Sequence, residues 1–413
     1  MEQRVVVTGM GVVTPIGTGL ETFRDSLMAG RNGIGRVTHF DPSEYRSQMA
    51  AEVHDFDPLN WIDKKMVDRL DRFNYFSLAA ATMAVEDAGL MASNIDRYRI
   101  GVIIGSGIGG ADTIQDGYRH LHEKGPKAVS PFFISKVIIN MSASLVSIRY
   151  GFKGPLAAPS VACSTGGNAI GEAFRMLQRG DVDVMLAGSA EAAISPLPYA
   201  GFCATRSMST RNDCVEKASR PFDKHRDGFV MGEGGGIVVL ERLDHALKRD
   251  AKIYAELIGY GNTADAFHFT APHPEGEGMI RVMRNAFEDA RIQPGEVDYI
   301  NAHGTSTILN DKTESLAIQK VFGEHAVKLK ISSNKSMIGH LLAGAGSVEF
   351  IATVLSINSR MIPPTINFEE PDPDCPLDYV TRGAEALDIN IAISNNFGFG
   401  GGNACLVLRR YEQ

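Results

Sequence analysis

The chain has 413 residues, 44% of them hydrophobic and 22% charged, the balance of an ordinary globular protein with volume for roughly one to three domains. Its formal net charge of −8 argues against a nucleic-acid binder, which displays a basic surplus. Five cysteines (Cys163, Cys203, Cys214, Cys375 and Cys405) with no Cys-x-x-Cys pair fit neither a disulfide framework nor a zinc site, so a reducing cytoplasm is the expected compartment.

Met1-Glu-Gln-Arg4 runs straight into Val5-Val-Val7, so no signal peptide is expected. No apolar stretch is expected to reach the ~18–20 residues of a membrane span. An amphipathic helical pattern ends at Ala84-Val-Glu-Asp-Ala88, and the strand-like Ile100-Gly-Val-Ile-Ile104 follows. That strand leads into Gly105-Ser-Gly107-Ile-Gly-Gly110, which satisfies the dinucleotide fingerprint G-x-G-x-x-G. The fingerprint also needs an acidic residue about 20 positions on, and none stands between Lys124 and Ser147. The glycines are better read as letting backbone pass close to a ligand or another strand.

An extended stretch over residues 156–162 ends at Cys163, in Val161-Ala-Cys163-Ser-Thr-Gly-Gly167. The spacing of Ile170, Phe174 and Leu177 predicts a helix from about 164 to 178, stopped by Gly180. A thiol at a helix N-terminus feels the positive end of the dipole, which lowers its pKa. Ala162, Ser164, Gly166 and Gly167 leave room for an acyl group. A nucleophile and a buried structural cysteine both fit this local sequence. Strands follow at 237–240, after Gly232-Glu-Gly-Gly-Gly236, and at 253–258. A second helical pattern ends at Ala286-Phe-Glu-Asp-Ala290.

The strand at 297–300 leads into Asn301-Ala-His303-Gly-Thr-Ser-Thr307, and a run at 327–333 leads into Asn334-Lys335-Ser-Met-Ile-Gly-His340. A further helix is expected from about 344. Both histidines thus sit at strand C-terminal ends, where open α/β sheets place their sites. Two imidazoles offer two Nε donors to an oxyanion without a full positive charge. Two histidines with no cysteine pair in reach make a metal site a poor fit. Lys335 is placed to orient a histidine or tune its charge, with Asp311, Glu314 and Glu349 available to balance it. The last turn, Ser394-Asn-Asn-Phe397-Gly-Phe399-Gly-Gly-Gly-Asn403, offers backbone N–H groups for an oxyanion hole and a phenylalanine, Phe399, able to gate the thiol. A wide β-turn with buried aromatics fits it equally.

The chain also carries a faint copy of itself. Ala84-Val-Glu-Asp-Ala88 recurs as Ala286-Phe-Glu-Asp-Ala290, each followed by a strand, and Gly232-Glu-Gly-Gly-Gly236 recurs as Gly398-Phe-Gly-Gly-Gly402. Two related α/β halves are expected, 1–250 carrying the cysteine and 251–413 carrying both histidines.

Together these stretches resemble the 3-oxoacyl-[acyl-carrier-protein] synthases of the condensing-enzyme, thiolase-like superfamily, in particular the elongating enzymes of type II fatty-acid synthesis. The resemblance runs from Val5-Val-Thr-Gly-Met-Gly-Val-Val-Thr-Pro15 through Ser219-Arg-Pro-Phe-Asp-Lys-His-Arg-Asp-Gly-Phe229 and Gly339-His-Leu-Leu342 to the final glycine turn. It implies a five-layered α-β-α-β-α fold of two similar halves and a ping-pong Claisen condensation. Cys163 would carry the acyl chain, and His303 and His340 would stabilise the malonyl-derived enolate. Lys335 would support the pair, and Cys163 and Phe399 N–H groups would hold the oxyanion. By the same resemblance Thr305 and Thr307 bind the pantetheine arm, Ile108 and Phe202 line the acyl pocket, and Phe399 is its gate. Lys65, Arg69 and Arg206 match positions that receive an acidic carrier protein, although Asp68 places an acid among them.

Ile308-Leu-Asn310-Asp311 stands where many relatives have Pro-Leu-Gly-Asp, and Gly402 replaces a frequent threonine. The resemblance further implies a homodimer with no cofactor beyond the carrier's pantetheine, no metal, and neither nucleic acid nor membrane as partner. A polyketide ketosynthase keeps the same reacting residues, whereas the non-catalytic chain-length subunit lacks the cysteine that Cys163 supplies.

Overall fold

The computed structural model describes residues 3–92 and 95–412; Met1 and Glu2, where the expectation about a leader begins, lie outside the described residues. Its principal elements are β1 (Val5–Thr14), α1 (Arg72–Asp87), β2 (Ile100–Gly105), α2 (Ala111–Lys124), α3 (Met141–Tyr150), β3 (Leu156–Ala157), α4 (Thr165–Arg179), β4 (Val184–Glu191) and β5 (Gly234–Arg242). After these come β6 (Ala255–Ala264), α5 (Glu277–Ala290), β7 (Tyr299–Asn301), α6 (Ile308–Phe322), β8 (Lys330–Ser332), α7 (Ala345–Ser359), β9 (Ile391–Phe397) and β10 (Gly402–Arg409).

The strands run β3-β2-β4-β5-β1-β6-β10-β9-β7-β8. Read inward from each end, the two five-strand sets have the same order and the same mix of parallel and antiparallel pairs. Among the described residues their strands join where Val5–Val7 of β1 pairs with Ala255–Leu257 of β6. Helices α1 and α3 cover the outer face of the first set; α5 covers that of the second, and α6 packs beside α5 with Ala317, Ile318 and Phe322 in the same apolar cluster as Ile300, Ile331 and Ile393. Between the sets lie α4 and α7, which touch each other and both sheets. This is the thiolase-like five-layered α-β-α-β-α arrangement.

The recurring Ala-x-Glu-Asp-Ala motif has a physical reason. β1 breaks register with β5 between Val7 and Gly9, and β6 breaks register with β10 between Leu257 and Gly259. A bulge leaves a backbone N–H without its ladder partner. Asp87, at the end of α1, accepts the Met10 N–H at 2.9 Å, and Asp289, near the end of α5, accepts the Tyr260 N–H at 2.8 Å. The glycines beside each bulge admit the helix: a Cβ on Gly11 would lie 2.1 Å from the Ala80 carbonyl, and one on Gly261 2.1 Å from that of Val282.

The glycine-run echo needs correcting by two residues. Gly9 faces Val239 and Gly259 faces Val407, so Gly234, not Gly236, is the counterpart of Gly402. An even slip keeps side chains on the same face, which is why the pattern survived it. One expectation about apolar runs is also overturned. Leu342–Ser359 is 18 residues long with a mean hydropathy of 1.2, enough by length and composition to span a bilayer. It is apolar all round because 89% of it is buried, α7 being sandwiched between two sheets.

Candidate active site

Cys163, His303, His340 and Phe399 line one cavity of about 340 Å³, with Phe202, Thr305, Thr307 and Arg206. The cavity opens where strand ends and central-helix starts converge: Cys163 precedes α4, His303 follows β7, His340 lies between β8 and α7, and Phe399 follows β9. Cys163 sits on a tight turn whose preceding residue, Ala162, takes a left-handed φ of 46°. Thr165 braces that turn by accepting the Val161 N–H and donating to the Ala162 carbonyl, both at 2.8 Å. Gly166 packs under it, since a Cβ there would lie 2.4 Å from the Ser347 nitrogen of α7.

The thiol departs from expectation. Burial pushes Cys163 up to about 11, while the Phe399 N–H on its sulfur and the charge of Lys335 pull it down. The helix dipole does not prevail because α4 opens only at Thr165 and the thiol is almost wholly removed from water. The resting nucleophile is therefore a neutral thiol.

Both imidazoles are held neutral. Burial and then Lys335 lower His303 and His340 well below the usual histidine value, with His340 adding to the effect on His303. Their rings lie 5.4 Å apart at 85°. The Leu342 N–H donates to His340 Nδ1 at 3.2 Å, so the single proton of that neutral ring sits on Nε2. Lys335 Nζ stands 3.5 Å from His303 Nδ1 and donates to the His303 carbonyl at 2.6 Å. An ammonium has only donors, so His303 also carries its proton on Nε2. Two neutral Nε2–H donors thus serve one cavity.

Of the three carboxylates offered to Lys335, only Glu349 takes it, through a short Nζ–Oε1 bond, and Asn396 donates to its other oxygen at 2.8 Å. Burial pushes Glu349 up to about 7 against the pull of Lys335. Asp311 and Glu314, both on α6, instead build the His303 turn. Glu314 accepts the His303 and Gly304 N–H groups at 2.9 and 2.8 Å, and Asp311 accepts those of Thr305 and Ser306 at 2.9 and 3.1 Å. Asn310 adds its side-chain amide to Asp311 at 3.1 Å and lines the cavity. Four consecutive donors require an acceptor each, a need invisible in the residue types of the turn itself.

Thr305 and Thr307 join their hydroxyls at 2.8 Å, and Thr307 caps α6. The Phe399 turn closes through Gly398 N–H to the Gly402 carbonyl at 2.8 Å and is held from outside by Asp265 and Phe269. Sequence reasoning passed over Asp265, whose only signal was its place at the end of β6.

Three residues do not join the others. Ile108 does not line the cavity; with Phe202 it packs on the apolar cluster that contains Phe229 and Leu342. Lys65 and Arg69 are exposed but stand off the cavity mouth that carries Arg206, with the Arg69 guanidinium 5.0 Å above the Phe132 ring.

Comparison with known proteins gives a consistent picture. Residues 2–246 match the family model for the N-terminal domain of beta-ketoacyl synthases, and residues 254–369 the model for the C-terminal domain. The chain is 50% identical over 411 residues to 3-oxoacyl-[acyl-carrier-protein] synthase 2 of Synechocystis, covering 100% of this chain and 99% of that protein. Its fold superposes on the ishigamide ketosynthase/chain length factor with a TM-score of 0.94 at 37% identity, covering 100% of both chains. A type II polyketide ketosynthase solved in complex with its acyl-carrier protein gives a TM-score of 0.92 at 35% identity, again over 100% of both.

Proposed function

The chain belongs to the beta-ketoacyl synthase family, and from that premise we propose that it elongates acyl chains by decarboxylative condensation, as a 3-oxoacyl-[acyl-carrier-protein] synthase of fatty-acid synthesis. Cys163 attacks the thioester of an acyl-carrier protein, the pantetheine thiol leaves with the proton, and an acyl–Cys163 thioester remains. Malonyl-carrier protein then binds along Thr305 and Thr307. Its terminal carboxylate departs as carbon dioxide, leaving the bonding pair as an enolate whose oxygen accepts from Nε2–H of His303 and His340. The enolate carbon attacks the acyl carbonyl, and the Cys163 and Phe399 N–H groups receive the oxyanion. Collapse expels the Cys163 thiolate and leaves a 3-oxoacyl chain two carbons longer on the carrier. The observation that carries this reading is the pair of neutral imidazoles, both protonated on Nε2, facing the cavity that holds the thiol.

The test is to supply acyl- and malonyl-carrier proteins together, follow 3-oxoacyl product, and map the acylated residue by peptide mass spectrometry. One round of extension with acyl label on Cys163 supports the proposal; repeated rounds without release point to a polyketide ketosynthase. Absence of any adduct removes both. The chemistry draws on no cofactor beyond the carrier's pantetheine arm.

The histidines set the pH dependence. Burial and Lys335 hold both well below the ordinary 6.5, so both imidazoles stay neutral to lower pH than an exposed histidine does. Malonyl decarboxylation is expected to show no inflection near 6.5, its acid limb falling at lower pH. A kcat/KM profile centred on 6.5 would contradict the neutral-donor assignment.

A homodimer belongs to the same reading. Strand β3 is an edge whose two residues are exposed, and Tyr118 and Leu121 of α2 with Phe132, Ile134 and Ile138 leave a further group of apolar side chains in water. Apolar groups of this kind mark association surfaces. Arg69, stacked on Phe132, borders that surface, which brings Lys65 and Arg69 beside the seam of a dimer while Arg206 marks the cavity mouth. An acidic carrier protein would engage both. The double variant Tyr118→Glu/Ile134→Glu is expected to shift a dimer to monomer in light scattering; a monomeric wild type at micromolar concentration would dispose of the dimer. The division at residue 250 and a cytoplasmic setting, supported by five unpaired cysteines, complete the proposal.

A further inference from the structure

The glycine-rich turn after β2, unsuited to a nucleotide, lies over an unusual group. β4 ends at Glu191, whose side chain is wholly buried beneath that turn. Its carboxylate accepts the Ser106 hydroxyl at 2.9 Å, the Gly107 N–H at 2.7 Å, and the Ile108 N–H at 3.3 Å to both oxygens. Ser106 Oγ in turn accepts the Gly109 N–H at 3.2 Å. All these donors are neutral. Burial pushes Glu191 up to about 7, and the same hydrogen bonds pull it down. A buried carboxylate without a cationic partner is costly, so its retention by neutral donors calls for a reason.

The turn it holds is the back of the cavity wall. A Cβ on Gly107 would lie 2.7 Å from Glu191 Oε2 and 3.4 Å from the Cβ of Ala343. Ala343 follows Leu342, which lines the cavity together with Phe202 and Phe229. Ile108 and Phe202 both pack against the buried cluster that contains Phe229 and Leu342. An acyl chain that outgrows the cavity past Phe202 is therefore driven into the cluster on which Ile108 packs. To pass, it must displace Ile108, and Ile108 cannot move far while its own N–H and that of Gly107 are fixed on one carboxylate.

We infer that Glu191 is a positioning residue for acyl-length selection, clamping the 106–109 turn so that Ile108 closes the inner end of the acyl pocket. The inference rests on the proposed condensing function, because it assumes that an acyl chain occupies the cavity. Length discrimination then comes from the strength of the clamp beneath Ile108 as well as from the bulk of Ile108.

The test measures acyl loading on Cys163 from carrier proteins of increasing chain length, for wild type, Glu191→Ala, Glu191→Gln and Gly107→Ala. Glu191→Ala leaves two backbone N–H groups and the Ser106 hydroxyl without their acceptor, and Gly107→Ala drives a methyl into the carboxylate. Both are expected to raise the ratio of long- to short-chain loading by about tenfold or more, the scale on which pockets discriminate methylenes. Glu191→Gln is expected to keep a near-wild-type ratio, since its amide oxygen still accepts from Gly107 while its NH₂ donates to Ser106. An equal fall at every length, or an unchanged ratio in Gly107→Ala, would overturn the inference. Should Glu191→Ala fail to fold, Gly107→Ala and Glu191→Gln still decide it. A wild type that loads no chain at all defeats the condensing function itself, an outcome distinct from loading whose length profile ignores these variants.

Discussion

Cys163→Ala is expected to accept no acyl group from any carrier and to form no 3-oxoacyl product, while still releasing carbon dioxide from malonyl-carrier protein. The sulfur is the atom that carries the acyl chain, and among the described residues lining the cavity no other cysteine stands: Cys203, the nearest in sequence, is buried against Met208. Loss of a nucleophile on this scale costs about 10⁴-fold or more in turnover. The decarboxylating half is built separately. His340 is set by the Leu342 N–H, and His303 by Lys335 and Glu314, none of which relies on the thiol. Alanine also relieves the cavity of sulfur without adding bulk. Intact-mass measurement and carbon dioxide release, run on the same preparation, separate the halves. An adduct surviving on the alanine variant would move the nucleophile elsewhere, and loss of both activities together would tie the histidines to the sulfur.

The second large effect belongs to Glu349→Leu. Lys335 and Glu349 are each about 1% exposed, and the ammonium is held by Glu349 and the His303 carbonyl. Removing one partner of a buried pair leaves an uncompensated charge and costs about 3–5 kcal/mol. Denaturant midpoints should fall accordingly. Adding Lys335→Met removes the stranded ammonium and should recover much of the stability, because paired replacement by apolar groups of similar volume is often neutral. Decarboxylation should not recover with it, since nothing then keeps the His303 proton on Nε2. Stability and activity rising together in the double variant would show that the pair serves packing alone.

The reacting residues were legible because chemistry constrains them locally. Cys163, His303 and His340 each sit among glycines or small residues at a strand end, and that context survives in the bare sequence. What holds them was not legible. Glu314 and Asp311 look from the sequence like counter-charges for Lys335, yet they serve four backbone N–H groups on a neighbouring turn, a role fixed by helix orientation. The thiol pKa went astray for a similar reason, since the dipole is a local property and burial a global one. Lys65 and Arg69 carry charge but no position, so their distance from the cavity mouth emerged only with the fold. The motif repeated at Asp87 and Asp289 was visible, whereas the bulges that explain it depend on strand pairing.

The matched register of the two sheets has a consequence for how many catalytic centres one chain can hold. Gly105 pairs with Ser189, and strand by strand its counterpart in the second half is the position of His303. The twin station cannot take an imidazole: even a Cβ on Gly105 would come within 2.3 Å of Thr165, which opens α4, and 2.5 Å of the Pro159 carbonyl, the two residues flanking the turn that presents Cys163. The space a second histidine would fill is where the nucleophile's own support stands. A frame with near-symmetry therefore yields a single, handed workplace, one copy giving up its side chain so that the loop bearing the sulfur has somewhere to rest.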